Sequence, residues 1–439
     1  MKKKYLIETY GCQMNMAESE SLKLLLDSAD WEETRNPEEA DAVILNTCSV
    51  RETAEERIWG RLGFYKHEKK KHNFKLVVMG CMAERLKEKF LVKNSHIDIV
   101  VGAFDKKEIP YYLEESFQQN EKIIATNGSS YDFFERHSRD SFKAFVPIMH
   151  GCNNFCSYCI VPYVRGREVS RSPEQIIEEL TKLVDEGVKE VTLLGQNVNS
   201  YRYKKGDLTI TFPDLLEMII TNVKVEWLRF LTSHPKDLSN RVIKLIAENE
   251  QLCNHIHLPV QHGSNKILKL MRRGYTRENY LEIINKIKTT ISDISITTDI
   301  LLGFPEETEE DFEETLSLME KVNFDDSFIY RYNPREGTKA FELGDPIPYE
   351  VKIERLNRAF VLQKRLSYLN RKKRLGRKVK VLAESISRHN PRELLGRTEW
   401  DEMVVFPGEP GEIGKFLFVT LEELRGNTYR GRKVENDDI

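Results

Sequence analysis

Residues 151–159 read GCNNFCSYC, and they place three cysteines in one short loop, at Cys152, Cys156 and Cys159. The spacing C-x3-C-x2-C gathers three thiolates around one metal site, and no fourth cysteine lies near enough in sequence to complete it. A 4Fe-4S cluster with full cysteine ligation has one thiolate on each iron. Three thiolates leave one iron free to bind another molecule, so the loop predicts an open 4Fe-4S cluster.

A cluster with a free iron can bind S-adenosylmethionine and pass it an electron, which starts radical chemistry that side chains cannot perform. Zinc is the alternative metal, because His150 could be the fourth ligand of a tetrahedral structural site. The sequence offers no second C-x2-C pair, however, and the loop follows a predicted strand at the mouth of a predicted barrel. The pattern therefore favours the cluster.

Composition limits the class of protein. The chain has 439 residues, of which 40% are hydrophobic and 31% charged, as is typical of soluble proteins with about three domains. No run approaches the roughly 18 apolar residues of a membrane helix, and MKKKYLIETYGC lacks the apolar core of a secretory signal. Seven cysteines are too sparse for a disulfide scaffold. We expect a cytoplasmic protein without membrane contact.

The first hundred residues alternate between apolar strands and helices. Strands are predicted over residues 5–10, 41–46, 75–79 and, as the last of them, 97–104. Such apolar runs are typical of a parallel sheet covered on both faces, whose carboxyl strand ends share one edge. Cys12, Cys48 and Cys81 each follow a strand, which predicts a second metal site at that edge. The alternative is that they are ordinary buried thiols.

A polar stretch that begins at Thr126 separates this unit from a second alternating region. There the strands are predicted over residues 191–198, 227–233, 255–261, 295–304 and 327–334, after a first strand beginning at 144. Repeats of this number predict a full or partial barrel with its chemistry at the carboxyl strand ends. The polar residues at those ends are the candidate contacts to S-adenosylmethionine: Gln196, Asn197, Ser233, Gln261 and Asp299.

Two basic features stand out. Arg165, Arg167 and Arg171 follow the cysteine loop and could bind a carboxylate or a phosphate. Residues 352–380 are strongly basic, with Glu354 as the single acid. A run of this kind is commonly a solvated helix face, but it adjoins residues 376–432, whose short alternating runs broken by Gly and Pro predict a small β-barrel. We therefore interpret it as an RNA-binding surface.

Several long motifs resemble those of the MiaB-type tRNA methylthiotransferases of the radical S-adenosylmethionine class. TYGCQMN, NTCSVRETAEER and Gly80-Cys81 resemble the amino-terminal motifs of that family. GCNNFCSYCIVPYVRGREVSRSP, LLGQNVNSY, RFLTSHP, HLPVQHGS, MRRGYT and DILLGFPEET resemble its catalytic motifs. The closing segment is similar to its TRAM barrel, so the resemblance covers the whole length. The chain departs at His262, where Ser is expected, and at Glu306, where Gly is commoner.

The resemblance implies an α/β protein of three domains. These are a flavodoxin/Rossmann-like parallel-sheet domain over residues 1–125, a radical S-adenosylmethionine partial (β/α) barrel over 138–370 and an RNA-binding TRAM β-barrel over 375–439. It also implies that Cys152, Cys156 and Cys159 ligate the 4Fe-4S cluster that cleaves S-adenosylmethionine. Cys12, Cys48 and Cys81 would ligate a second 4Fe-4S cluster that supplies or carries sulfur.

The implied reaction is methylthiolation of C2 of N6-isopentenyladenosine in tRNA, next to the anticodon (position 37), with two S-adenosylmethionine molecules. The implied partners are the tRNA anticodon loop and a reductant protein such as flavodoxin or ferredoxin, and the chain would be a monomer. Relatives within the class act on threonylcarbamoyl-adenosine in tRNA or on an aspartate of a ribosomal protein. A non-catalytic iron–sulfur or zinc RNA-binding protein is the alternative from another class.

Overall fold

The computed structural model contains three successive units: a parallel sheet, an open barrel of strands and helices, and a small closed barrel. It describes residues 2–49, 52–93, 96–119, 121–126, 128, 131, 133 and 141–434. Most of the polar stretch after Thr126 therefore lies outside the described residues. Among the helices that the structure describes, none combines the length and the apolar character needed to cross a bilayer. The α/β fold class is confirmed.

The first unit is a six-stranded parallel sheet with the order β2-β1-β3-β4-β5-β6. Its strands are β1 (Lys4–Thr9), β2 (Glu32–Glu33), β3 (Ala42–Thr47), β4 (Lys75–Gly80), β5 (Ile99–Val101) and β6 (Ile123–Ala125). Its helices are α1 (Gln13–Ser28), α2 (Glu52–Glu68), α3 (Cys81–Leu86), α4 (Glu88–Lys93) and α5 (Ile109–Gln119). Because α1 and α5 cover one face and α2, α3 and α4 the other, every residue of β3 and β4 is buried.

This strand order places a topological switch between β1 and β3, since the chain runs outward to β2 on one side and to β4 on the other. Open parallel sheets bind ligands at such a point, beyond the carboxyl strand ends. The prediction that residues 97–104 form the last strand is wrong, because β6 pairs with β5 at the edge. β6 has three residues, Ile123, Ile124 and Ala125, none of them buried, and an apolar run this short does not identify a strand from the sequence.

The second unit is an open barrel of parallel strands surrounded by helices. Its strands and hairpins are β7 (Lys143–Pro147), β8 (Met149–His150), β9 (Val169–Ser170), β10 (Glu190–Leu194), β11 (Arg202–Lys205), β12 (Leu208–Thr211), β13 (Trp227–Phe230), β14 (His255–His257), β15 (Ser295–Leu302) and β16 (Asp326–Arg331). Its helices are α6 (Val161–Val164), α7 (Pro173–Asp185), α8 (Phe212–Asn222), α9 (Asn240–Glu248), α10 (Asn265–Leu270), α11 (Arg277–Thr290), α12 (Glu309–Val322) and α13 (Tyr349–Lys372).

The barrel consists of two parallel three-stranded sheets, β7-β10-β13 and β14-β15-β16. A parallel bridge between Leu228 and Leu252 joins them into one curved wall. Within the described residues, β7 and β16 each pair with only one strand of the barrel, so the wall is open between them. The largest apolar core lies between this wall and its helices.

The third unit is a closed barrel with the order β17-β18-β19-β21-β20. Its strands are β17 (Lys378–Ser387), β18 (Asn390–Thr398), β19 (Met403–Pro407), β20 (Phe416–Arg425) and β21 (Thr428–Val434). It docks against the amino-terminal ends of the open-barrel strands. The ring centroids of Trp227 and Phe416 are 4.7 Å apart, and Trp400 Nε1 donates to the Asp293 carbonyl at 2.8 Å. The closed barrel therefore lies opposite the carboxyl strand ends.

The interpretation of residues 352–380 as an RNA-binding surface is wrong for three of its six arginines, because Arg355, Arg371 and Arg374 are buried; for the exposed residues of the run it stays a prediction. Arg355 is buried and pairs with Glu307 at 2.8 Å, and Arg374 lies 3.0 Å from both Asp325 and Glu402. Further ion pairs to acids distant in sequence involve Arg358, Arg365, Arg371 and Arg377. The charge that stands out in the sequence is neutralised by tertiary contacts. The domain limits at residues 125, 138, 370 and 375 stay predictions.

Replacement of Arg374 by Met should destabilise the protein strongly. Arg374 and Glu402 are 5% and 3% exposed as side chains, and loss of one partner of a buried ion pair costs about 3–5 kcal/mol. Urea unfolding followed by tryptophan fluorescence measures the effect. The matched control is Arg365→Met, which removes the ion pair with Glu320. The two side chains of that pair are 61% and 56% exposed, so its loss should cost about 0–1 kcal/mol of stability. Equal losses for the two variants would contradict this account of the docked barrel.

Candidate functional site

Cys12, Cys48 and Cys81 converge at the carboxyl edge of the first sheet. They follow the neighbouring strands β1, β3 and β4, so they lie side by side along this edge. Gly11 makes the close approach possible: it has φ +123°, and a Cβ on it would lie 2.5 Å from Cys48 Cβ and 3.0 Å from Cys48 Sγ. Cys12 and Cys48 are within hydrogen-bonding reach of each other. The structure thus brings these three predicted residues together, at the switch point of the sheet.

The surroundings at this edge lower the pKa of one thiol and raise that of another. The hydrogen bond from Cys48, together with the charge of Arg165, lowers the pKa of Cys12 to about 6. Burial raises the pKa of Cys81 although Arg165 opposes that change. A buried thiol of this kind ionises when a metal binds it. The donor set therefore fits an iron–sulfur centre, whose net negative charge needs positive groups nearby.

The second cysteine group lies in the loop between β8 and α6, at the mouth of the open barrel. The loop is held by its own backbone and by α10: the Ser157 amide donates to the Met271 carbonyl at 3.1 Å, and Ser157 Oγ donates to the Leu270 carbonyl at 2.8 Å. Arg273 Nη1 donates to Cys156 Sγ at 3.3 Å, and its Nη2 donates to the Pro259 carbonyl at 2.8 Å. The loop is thereby fixed to the exit of β14.

Burial sets the protonation of this group. It raises the pKa of Cys152 to about 11 and that of Cys159 to about 12. Thiolates at these positions therefore require a metal. No three His, Cys, Asp or Glu side chains among the described residues converge on a point where one metal ion could sit. The thiolates of an iron–sulfur cluster bind different irons, so a cluster does not require such convergence.

The two cysteine groups meet at the seam between the first unit and the open barrel. Cys81 packs against Ile160 and Val164, the first of which follows Cys159 directly. On the other side, Cys12 and Leu231 both pack against a cluster that contains Leu194 at the exit of β10, together with Met14 and Ala17 of α1. The loops that carry the two groups of thiols are therefore in direct contact.

Arg165 crosses the same seam. It follows α6 and is 3% exposed as a side chain. Its Nε donates to Cys81 Sγ at 3.2 Å and its Nη1 donates to Glu18 Oε1 at 2.8 Å. Lys106 Nζ lies 2.5 Å from the other oxygen of Glu18. Although burial opposes it, the charges of Arg165 and Lys106 hold the pKa of Glu18 well below its usual range. Arg165 therefore brings a positive charge into direct contact with Cys81, while burial lowers the pKa of Lys106.

The expectation that Arg165 and Arg171 could bind an anionic ligand is wrong, because both are occupied by carboxylates of the chain. Arg165 pairs with Glu18, and Arg171 is buried and pairs with Glu179. Arg167 is exposed, with its guanidinium 4.4 Å from the Phe155 ring centroid. His150 stacks on Tyr131 with centroids 3.5 Å apart, and burial holds its pKa well below the usual value.

Gln196, Asn197 and Ser233 lie together at the exits of β10 and β13. The Val198 amide donates to the Thr232 carbonyl at 3.0 Å, which joins the two loops. Buried polar atoms here have no hydrogen-bond partner among the described residues: Gln196 Oε1, Asn197 Oδ1, Asn199 Nδ2 and Oδ1, Ser233 Oγ and His234 Nε2. Native proteins rarely leave such groups unpaired, so this cluster fits a polar ligand such as S-adenosylmethionine.

Backbone strain marks the same place. Thr232 has φ +67°, which is costly for a β-branched residue and is found mostly at functional sites. Gln261, at the exit of β14, has φ +72°, and its backbone amide donates to the backbone carbonyl of Asp299 at 2.9 Å. Gln261 and Asp299 thus form a second pair on the other half of the barrel. Tyr275 connects the halves, because it packs on His234 and donates to the Val260 carbonyl at 2.7 Å.

Comparisons with known proteins match all three units. The Radical SAM superfamily model matches residues 146–319, the TRAM domain model matches 372–434, and the Uncharacterized protein family UPF0004 model matches 4–102. Curated proteins called tRNA-2-methylthio-N(6)-dimethylallyladenosine synthase match nearly end to end. The one from Treponema denticola is 48% identical over 97% of this chain and 99% of its own. The one from Phocaeicola vulgatus is 46% identical, over 98% and 96%.

The chain belongs to the tRNA-2-methylthio-N(6)-dimethylallyladenosine synthase family. The resemblance identified from its motifs is confirmed. A solved structure of the radical S-adenosylmethionine methyltransferase TsrM from Kitasatospora setae shares the fold with a TM-score of 0.57 at 13% identity, over 78% of this chain and 77% of that one.

The two departures from the family motifs lie near the site and have local explanations. His262 is fully buried and accepts the Ser264 amide at 3.0 Å on Nδ1, while its Nε2 lies 3.2 Å from Glu307. Glu306 has φ +70°, the conformation for which Gly is the favoured residue. The remaining cysteine, Cys253, is a core thiol packed near Trp227 and Leu382.

Sequence reasoning missed several residues of the site. Glu18 and Lys106 lie in helical segments and carry no motif signal, because their role depends on Arg165 of another unit. Arg273 lies inside MRRGYT, which was quoted only for the resemblance. The signal that the sequence offered was an arginine inside a motif with no assigned partner. Its burial became known only from the structure.

We expect Arg165→Met to change the amino-terminal metal centre. In a background with Cys152, Cys156 and Cys159 replaced by Ala, only Cys12, Cys48 and Cys81 can hold a reconstituted cluster. Removing the donor to Cys81 and its charge should lower the midpoint potential of that cluster, since hydrogen bonds to the sulfurs tune it. Potentiometric titration followed by electron paramagnetic resonance measures this.

The control for this variant is Arg167→Met, which removes an exposed arginine two positions away in the same segment. Its midpoint potential and bound iron should equal those of the background protein. If Arg165→Met and Arg167→Met have the same potential, Arg165 does not act on this centre.

Proposed function

We propose that this protein methylthiolates C2 of N6-isopentenyladenosine in tRNA, next to the anticodon. Its family membership, over nearly the whole length, supports the reaction and the tRNA substrate. An iron–sulfur cluster and S-adenosylmethionine are the cofactors of its radical S-adenosylmethionine unit. The finer proposal is that two 4Fe-4S clusters serve this reaction, one on Cys152, Cys156 and Cys159 and one on Cys12, Cys48 and Cys81.

The contact between the two cysteine groups carries this proposal. Cys81 packs against Ile160, which adjoins Cys159, and Cys12 packs against the cluster that contains Leu194 at the barrel mouth. A hydrogen on an aromatic adenine carbon is not acidic, so ordinary acid–base groups cannot remove it. When bound, the clusters and S-adenosylmethionine supply the radical and the sulfur that this carbon requires. The two sources must reach one base, and contact between their loops supports that geometry.

The residues of the chain bind and orient the reactants. Gln196, Asn197 and Ser233 offer buried, unpaired polar atoms to the polar groups of S-adenosylmethionine. Gln261 and Asp299 flank the opposite half of the barrel, where we propose further contacts. Arg273 holds Cys156 by a hydrogen bond. Arg165, as a positioning residue, fixes Cys81 and joins the two units.

The base must leave the RNA stack to reach this seam. Bases of single-stranded loops can be splayed out, which makes an anticodon loop a suitable substrate. The TRAM barrel lies at the far end of the open barrel, and β15, with eight residues, spans about 26 Å. We propose that the TRAM barrel holds the tRNA at a distance from the modified base. A cytoplasmic monomer reduced by a flavodoxin or ferredoxin is the setting we propose.

Anaerobic reconstitution with iron and sulfide, followed by incubation with reductant, S-adenosylmethionine and isopentenylated tRNA, tests the function. Mass spectrometry of the nucleosides should detect the 2-methylthio product. A product on threonylcarbamoyl-adenosine, on a ribosomal-protein aspartate, or none at all would contradict the proposal.

The triple variant Cys12→Ala/Cys48→Ala/Cys81→Ala separates the two cysteine groups. It should still form 5′-deoxyadenosine from S-adenosylmethionine, because the other group is intact, but it should make no methylthio product. Its bound iron should fall to about half. Chromatography of 5′-deoxyadenosine and mass spectrometry of nucleosides provide the two readouts.

Cys253→Ala is the matched control, since it removes the one cysteine that lies in the core away from both groups. It should keep both activities and the full iron content. Full methylthiolation by the triple variant would refute the second cluster.

Arg388 and Arg392 test the RNA-binding role of the TRAM barrel. Both are exposed: Arg388 lies in the turn between β17 and β18, and Arg392 lies near the start of β18. Replacing each arginine by Ala should weaken tRNA binding. The slope of the logarithm of the association constant against the logarithm of the salt concentration should become shallower by about 0.7–0.9 for each lost phosphate contact. Filter binding at several salt concentrations measures this.

Arg365→Ala is the control here, because it removes an exposed arginine of α13 that is paired with Glu320. Its salt slope should equal that of the wild type. A larger loss from Arg365→Ala than from Arg388→Ala would place the RNA on α13 instead.

A further inference from the structure

Strand β16 presents two different faces. Ser327 Oγ donates to Gln363 Oε1 of α13 at 3.0 Å, and Ile329 belongs to the core that includes Ala359 and Leu366 of α13. Because side chains alternate along a strand, Phe328 and Tyr330 lie on the opposite face. That face is the inner face of the open barrel.

The inner face of β16 is apolar and accessible. Phe328 is 50% exposed and Tyr330 is 37% exposed, although both lie inside a paired strand. Large side chains on the inner wall of a barrel are ordinarily packed by others. The two rings are therefore accessible to solvent, on a strand that borders the open side of the barrel.

Polar groups adjoin the rings toward the barrel interior. Phe328 pairs in register with Asp299 on β15, and its ring lies 5.8 Å from that of His257 in an edge-to-face arrangement. His257 Nδ1 lies 3.0 Å from Thr297 Oγ1, and its Nε2 lies 3.4 Å from Asp299. The side chains of His257 and Asp299 are thus tied to one another, which leaves the Phe328 ring as the apolar surface next to a fixed polar edge.

We propose that Phe328, with Tyr330 and His257, forms the wall against which the N6-alkylated adenine ring of the RNA lies. An aromatic ring suits this ligand because bases extruded from RNA stack on aromatic side chains. The hydrocarbon substituent on N6 gains additional binding free energy when it is buried against an apolar surface. An unmodified adenine lacks the substituent and so does not gain this free energy. The wall therefore selects the alkylated base. This inference rests on the proposed function and names the residues that recognise its substrate.

Phe328→Ala tests the wall, with Phe328→Tyr as the conservative variant. The ligands are two anticodon stem-loop RNAs that differ only in the N6-isopentenyl group of the target adenosine. Fluorescence anisotropy with the reconstituted enzyme, without reductant, gives both dissociation constants and their ratio. Stacking of one base on an aromatic residue corresponds to about a five-fold to hundred-fold change in affinity.

The wild type should bind the isopentenylated RNA more tightly. Phe328→Ala should weaken the binding of both RNAs, because either adenine can stack on the ring, and it should also lower the preference for the isopentenylated RNA about ten-fold, because the N6 substituent loses its apolar contact. Phe328→Tyr should restore the preference. Phe360→Ala, which removes a ring of 48% exposure on α13, is the matched control and should behave as the wild type. Affinity for S-adenosylmethionine should be equal in all four proteins.

Three results would overturn the wall: no preference in the wild type, an unchanged preference in Phe328→Ala, or weakened S-adenosylmethionine binding by Phe328→Ala with the RNA preference intact. The last result would assign the ring to the adenine of the cofactor. Formation of the 2-methylthio product by the wild type on the isopentenylated RNA is measured in a separate assay. Its absence would count against the proposed function, whereas the binding ratio reports on Phe328 alone.

Discussion

The buried ion pair between Arg165 and Glu18 is the interaction on which the site depends. Both side chains are almost fully excluded from solvent, at 3% and 1% exposure, and they belong to different units of the chain. Burying ions is expensive unless each finds a partner with good geometry. Here Glu18 has two cationic partners, Arg165 and Lys106. The arrangement holds only if the first sheet sits on the barrel in one register, so it fixes how the two cysteine groups meet.

The positive charge of Arg165 at this seam has a chemical consequence. A cluster held by cysteine thiolates is negative, and Arg165 already donates to Cys81 Sγ. Arg273 has the same relation to Cys156 in the other group. Each group of thiols therefore has one buried arginine that orients a sulfur and compensates its charge. The two arginines serve both the position of the ligands and the electrostatics of the centres.

The placement of the TRAM barrel separates two tasks. It docks at the amino-terminal strand ends through contacts such as Trp227 with Phe416 and Arg374 with Glu402, whereas the cysteine groups lie at the carboxyl ends. Binding of the RNA backbone and chemistry on one base thus occur at opposite ends of the same barrel. The wall is open between β7 and β16, where α1 of the first unit packs on Phe145 of β7 and Phe328 lies on the opposite border.

Local patterns determined much of this protein. The C-x3-C-x2-C loop, the apolar runs that form β3 and β4, and the glycines before Cys12 and Cys81 are short-range features, and they fixed the parallel sheet, its active edge and the cysteine groups. The sequence did not reveal β6, whose three apolar residues are too few to show a periodic pattern, or the pairing of the arginines in the basic run before the TRAM barrel. Only the tertiary structure decided that Arg165 meets Glu18, 147 residues away, and that Phe328 stays exposed. Ion pairing and exposure depend on which distant surfaces come together, and no local periodicity encodes that.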